Sequence, residues 1–235
     1  MLTPILGSLL LVALGGGIHA SQGLTVATYQ RLSRAAVHHD ASAYPLAHDV
    51  LLDIADRRYT YYRDARVAAF EYIRAMKTKK AMPLIKEIAK IPTTDEDSLK
   101  NVLDAWAVRE ALDTLLSLGS KETAELSRHQ LFGHPFVQLM AIQNLEELEY
   151  WDATPDVERM LCSTPPDGDH HVELKAAGEF LEASPDTSHA ICACLDKISI
   201  ALGDKFYAPI KKTASPFYRP LGDAVAALGA RLNCK

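Results

Sequence analysis

Histidines and acidic residues fall close together at three points in this chain. The richest is Asp167-Gly168-Asp169-His170-His171, which follows Pro165-Pro166; His38-His39-Asp40 and His48-Asp49 are shorter groupings. One loop holding two carboxylates and two imidazoles has the donor types for a metal ion or for acid–base work, so a hydrolase or lyase built on Asp167–His171, with or without a metal, is the enzymatic reading. Its spacing matches no common metal site, and neighbouring histidines point apart. Neither a nucleophile nor a group to orient one accompanies it. The chain also lacks the G-x-S-x-G elbow, the H-E-x-x-H helix, the phosphate-binding P-loop and the dinucleotide fingerprint G-x-G-x-x-G. The expectation is a protein that is not an enzyme, with no catalytic residues, no metal and no cofactor.

Sulfur chemistry is more definite. Cys162, Cys192, Cys194 and Cys234 are the four cysteines, all in the C-terminal third. An even count in an exported chain reads as two disulfides. Cys192 and Cys194 stand two apart in a helical stretch and so project in different directions, which leaves Cys162 to pair with one of them and Cys234 with the other. A zinc site is the competing use, but C-x-C lacks the paired C-x2-C spacing of structural zinc.

The remaining candidates are for recognition. Tyrosine and arginine are enriched at binding hot spots, and Arg57, Arg58, Tyr59, Tyr61, Tyr62 and Arg63 crowd one short segment between two apparent helices. The binding residues expected there are Arg58, Tyr59, Tyr61, Tyr62 and Arg63, against the plainer role of rings packing on the core. Glu146, Glu147, Glu149, Tyr150, Trp151 and Asp152 form an acidic ridge in which Tyr150 and Trp151 would dock a basic partner; a solvated helix face with one buried ring is the alternative. Phe206-Tyr207, Lys211-Lys212 and Phe217-Tyr218-Arg219 form a third group, suited to capping the end of the fold.

Composition bounds the setting. The chain has 235 residues, 48% hydrophobic and 23% charged, with a net charge of -5. That is an ordinary globular balance, long enough for a real core. Acidic groups outnumber basic ones, 30 to 25, and no long basic run appears, so nucleic acid is not an expected partner. Residues Leu2–Ala20 contain no charged side chain, and Ile5–Leu14 is almost wholly apolar until Gly15-Gly16-Gly17 breaks it. This is the layout of a secretory leader cut near Ala20, although no Lys or Arg precedes the apolar run and Ile18 is larger than the usual small residue. Pro4 and the three glycines make it a poor spanning helix, which needs about 20 apolar residues. No second such stretch follows, so no stable membrane span is expected after leader removal. The expectation is a leader over 1–20 and a single periplasmic or secreted domain over 21–235.

The elements that must position all of these are helices. Runs of alternating Val, Ile and Thr are absent, and apolar residues recur at three- and four-residue steps: Leu46, Val50 and Ile54; Ala69, Ile73 and Met76; Val102 and Trp106, with Leu99 leading in. Prolines punctuate at helix-length intervals, and Thr154-Pro155 and Ser184-Pro185 read as helix starts. One pattern returns, a small residue followed by large apolar ones at +4 and +7: Ala69/Ile73/Met76, Ala111/Leu115/Leu118, Ala141/Leu145/Leu148, and a weaker Ala177/Leu181. A variable period of about 30–42 residues is the mark of stacked helical units, where the small residue lets a neighbouring helix approach and the large ones fill the gap.

These segments resemble HEAT or HEAT-like repeats of the armadillo-type superfold. The resemblance rests on Asp64-Ala65-Arg66-Val67-Ala68-Ala69 with Ala81-Met82-Pro83-Leu84-Ile85 opening the next helix; on Val108-Arg109-Glu110-Ala111-Leu112 before Leu118-Gly119-Ser120; on His134-Pro135-Phe136-Val137 before Ala141-Ile142; and on Val172-Glu173-Leu174-Lys175-Ala176-Ala177, which lacks the Arg. It covers about residues 46–183. It implies an all-α fold, an α-solenoid of stacked antiparallel helix pairs, and a protein that scaffolds or inhibits. The expected function is an exported, non-enzymatic protein-binding solenoid, an envelope adaptor or an immunity-type inhibitor, with another protein as its partner.

Overall fold

The computed structural model describes residues 26–94, 96, 98–166, 170–206 and 219–234. The expected leader over 1–20 lies outside the described residues, as do Asp167–Asp169, Tyr207, Lys211, Lys212, Phe217 and Tyr218. Among the described residues there is no strand; the fold is all-α. The helices in order are α1 (26–38), α2 (Tyr44–Ala55), α3 (Arg63–Met76), α4 (Met82–Ala89), α5 (Leu99–Ser117), α6 (Thr123–His129), α7 (Pro135–Glu147), α8 (Thr154–Ser163), α9 (His171–Ala183), α10 (Cys192–Phe206) and α11 (Arg219–Arg231).

How the even-numbered helices begin is local chemistry. α2, α4, α8 and α10 are each entered through a tight 3-10 turn whose third residue, Ala43, Ala81, Ala153 or Ile191, is buried. Asp40 and Ser188 cap two of these turns by accepting the backbone N–H of Ser42 and of Ala190. Pro45 and Pro155 then occupy the first helical turn, where the missing N–H costs nothing. Pro135 does the same for α7, behind an N-cap His134 that accepts from the N–H of Phe136. Ser184-Pro185 behaves otherwise. It follows the end of α9, because the Ser184 N–H still bonds to Phe180 O at 2.9 Å and Pro185 then stops the helix.

The chain divides into two compact units, Met1–Ile88 and Ala89–Lys235. In the first, α2 lies against α3 and buries Val50, Leu51 and Ile54 together with Phe70, Tyr72 and Ile73. The Tyr72 hydroxyl donates to Asp40 O at 3.0 Å, and burial raises its pKa. In the second, α5 packs on α7, α7 on α9 and α9 on α11, while α6, α8 and α10 lie against α7, α9 and α11.

A shared register organises the odd-numbered helices. Counting from Ala69, Ala111, Ala141 and Ala177, six positions are buried in all four of α3, α5, α7 and α9: −4, −3, 0, +1, +3 and +4. The +4 residues, Ile73, Leu115, Leu145 and Leu181, are fully buried, as expected. The +7 residues are not uniform: Leu118 is buried, Leu148 is 41% exposed, and Ser184 takes the place in α9. At +7 the chain has left the helix in α5, α7 and α9, while half-buried Met76 is the last residue of α3; the large residues buried in common lie at +1, on Phe70, Leu112 and Ile142. Gly178 holds that +1 position in α9, where a Cβ would stand 3.3 Å from Ala224 Cβ of α11; its absence lets α11 close in.

Candidate binding surface

The segment over 56–62 joins α2 to α3, and a buried carboxylate builds it. Asp53, 2% exposed on the inner side of α2, accepts the backbone N–H of Thr60 at 2.9 Å and its hydroxyl at 2.6 Å. Arg58 reaches back to Asp53 at 3.7 Å and to Asp56 at 3.2 Å. Arg57 and Tyr59 take left-handed backbone conformations, with φ of 55° and 51°. The Tyr59 ring lies beneath the guanidinium of Arg66, 5.2 Å from centroid to Cζ. Arg66 is itself buried; burial lowers its pKa, while Tyr59 and Asp53 act in the opposite direction. Of the five residues expected to bind here, Arg58 and Tyr59 therefore serve the loop's own architecture. Tyr61 is half-buried, whereas Tyr62 and Arg63 are exposed at the start of α3.

Tyr150 and Trp151, the other expected pair, belong to the second unit. The Tyr150 hydroxyl bonds to the Glu125 carboxylate of α6, which raises the phenol's pKa. Trp151 packs its ring on Phe180 of α9, centroids 5.2 Å apart. Both are half-buried, and the carboxylates flanking them, Glu146, Glu147, Glu149 and Asp152, are exposed. The same unit holds the cysteines: Cys162 pairs with Cys194 and Cys192 with Cys234, with Cα separations of 5.5 and 5.4 Å. The two bonds tie the end of α8 and the chain just after α11 to the first turn of α10.

The histidine groups are less organised. His170 Nδ1 lies 2.7 Å from Glu173 Oε1, one turn into α9, and so is engaged at the helix start. His48 contacts Asp49 at 4.0 Å, and His38 and His39 are exposed at the end of α1. Among the described residues no three His, Cys, Asp or Glu side chains gather in a way that could hold a metal ion.

Two large apolar residues outside the sequence-predicted binding sets, Phe136 and Val172, stand exposed on α7 and α9. Five positions before the small residue of the register stand Trp106, Phe136 and Val172; Phe136 is 61% and Val172 42% exposed. Leu139 and Met140 continue the apolar strip one turn along α7. Towards the helix ends the same side turns acidic, with Asp113, Glu146, Glu147, Glu179 and Glu182. Lys175 answers Glu179 at 2.6 Å, and Arg231 caps the end of α9 by donating to the carbonyls of Leu181 and Ser184. Extending the Ala-based register back by five residues would have found Phe136 and Val172. A separate groove of about 530 Å³, among Pro92, Leu126, His129 and Phe132, has Gln130 as its floor; that amide donates to Ala89 O and Ile91 O at 2.9 and 3.2 Å.

No family model, no curated protein and no solved structure matches this chain.

Proposed function

We propose that the protein is an exported α-solenoid of the HEAT-like, armadillo-type kind that works by binding another protein and not by catalysis. The observation that carries this reading is the common register: four helices, α3, α5, α7 and α9, bury the same offsets from an alanine, which side-by-side piling of two-helix units requires. Two disulfides support an oxidising compartment. No helix among the described residues is long and apolar enough to cross a membrane. Binding is favoured over turnover because the second unit exposes Phe136 and Val172 at the same register position of α7 and α9, and exposed apolar side chains set together mark contact surfaces. In an exported chain, an envelope adaptor and an inhibitor of the immunity type would both use such a face.

The test is a photo-crosslinking amino acid, p-benzoylphenylalanine, placed at Phe136 in the full chain in its native cells, with the same group at exposed Lys80 as control. The expected result is a reproducible adduct with one other protein from position 136 and none from position 80. Finding no adduct from 136 overturns the reading.

A further inference from the structure

We infer that the exposed side of α5, α7 and α9 receives a protein segment with an apolar end and a basic end, lying along α7. The inference rests on the binding reading above and deepens it by giving the partner's chemistry.

The face is divided by chemistry along its length. At the starts of α7 and α9 it offers exposed Phe136 and Val172, with half-buried Leu139 and Met140 next along α7 and half-buried Trp106 midway along α5; Phe136 is the most exposed of them. His134 stacks on Phe136 with centroids 5.2 Å apart, which holds the ring in place without covering it. A ring fixed in this way loses little freedom on binding, the property of an anchor. At the helix ends the face is anionic. α7 contains no Lys or Arg along its whole length and closes on Glu146 and Glu147, with Glu149 and Asp152 just beyond. The carbonyl end of a helix is already its negative end, so carboxylates there oppose the helix dipole and destabilise the helix slightly. α3, α4 and α6, by contrast, carry Arg74, Lys86, and Arg128 with His129 in their last turns, the favourable arrangement. A residue choice that works against its own helix, repeated and exposed, fits a surface completed by someone else's cations. At a rise of 1.5 Å per residue, Phe136 and the Glu146–Glu147 pair are about 15 Å apart. The complementary segment is therefore about ten residues long if helical, apolar at one end, with two or more Lys or Arg at the other.

The experiment uses the full disulfide-bonded chain and a fluorescent sixteen-residue helical peptide, its first two turns carrying Leu and Phe and its last two carrying Lys. Anisotropy titrations compare it with a twin in which every Lys is Glu. The expected results are binding of the Lys peptide that weakens with added salt, and binding at least tenfold weaker for the Glu twin. Phe136→Ala with Val172→Ala should weaken the Lys peptide about tenfold. Glu146→Gln with Glu147→Gln and Glu182→Gln should do so by a similar factor, while Glu71→Gln on α3 leaves it unchanged. Equal affinity for the two peptides overturns the inference, and so does equal weakening by Glu71→Gln, which would mean attraction to net charge only. The two failures are distinguishable. A foreign-protein adduct at position 136 together with charge-indifferent peptide binding sinks the partner chemistry and leaves the binding reading standing; no adduct sinks the reading itself. An adduct to the chain's own residues, or to a second copy, also overturns the inference.

Discussion

The two units solve the same packing problem with different chemistry. The first contains no described cysteine and fastens the passage from α2 to α3 with one buried acid: Asp53 holds both polar groups of Thr60, and the field around it steadies the buried Arg66. The second fastens its last helices covalently, through Cys162–Cys194 and Cys192–Cys234, and adds to these staples neutral pairs such as Thr154–Ser184 and an ionic tie of Asp156 to Arg128 and Arg159. An ionic fastening answers to charge, a covalent one to redox state. The units should therefore come apart under different treatments although α3 and α9 bury the same positions.

The most disruptive way to separate them is to cut a staple. The bond between Cys192 and Cys234 spans 42 residues, and replacing both by Ser should cost about 4 kcal/mol in the chain-entropy account. Chemical denaturation gives the total, and hydrogen exchange locates it. Exchange should rise in α10 and α11 and stay unchanged in α2 and α3, whereas a uniform rise would dissolve the contrast. The converse change is Asp53→Ala. It strands two Thr60 groups and takes a counter-charge from buried Arg66, a loss of about 3 kcal/mol that should appear as faster exchange over 56–62. Asp53→Asn keeps an acceptor and should lose less. If reductant and Asp53→Ala loosen the same helices, the two fastenings are not separate.

Much of this was legible in the sequence because helical periodicity and proline punctuation are local properties. The alanines at 69, 111, 141 and 177 and their +4 partners were found where the core needs them. What escaped depends on burial. The Tyr–Arg cluster gives no hint in sequence that Tyr59 lies against buried Arg66, nor does Trp151 show that one side of its ring rests on Phe180. Asp53 gave no signal, since an acid on a helix usually faces water. Pairing of the cysteines stayed open between two solutions because Cys192 and Cys194 both lie within the first turn of α10, and only the third dimension separates their partners. Phe136 and Val172 carry no signal of exposure in the sequence, since both also fit the repeat pattern.

The finest distinction concerns how the odd-numbered helices stop. Eight positions after the register alanine, the chain takes a left-handed residue in α3, α5 and α7 alike: Lys77 at φ 46°, Gly119 at 66° and Glu149 at 49°. Glycine enters that region without a steric penalty, while a residue with a Cβ is strained there. The same turn is thus built with glycine once and with a charged residue in each unit. Lys77→Gly and Glu149→Gly should each stabilise the protein by about 0.5–1 kcal/mol, the relieved strain being partly offset by the greater freedom glycine gives the unfolded chain. Urea midpoints of the two single variants are the measurement. Equal gains would mean that the helix-ending turn is one repeated device across both units. A gain at one position alone would mean that the shared φ hides different local constraints, and the register would then describe burial but not the turns.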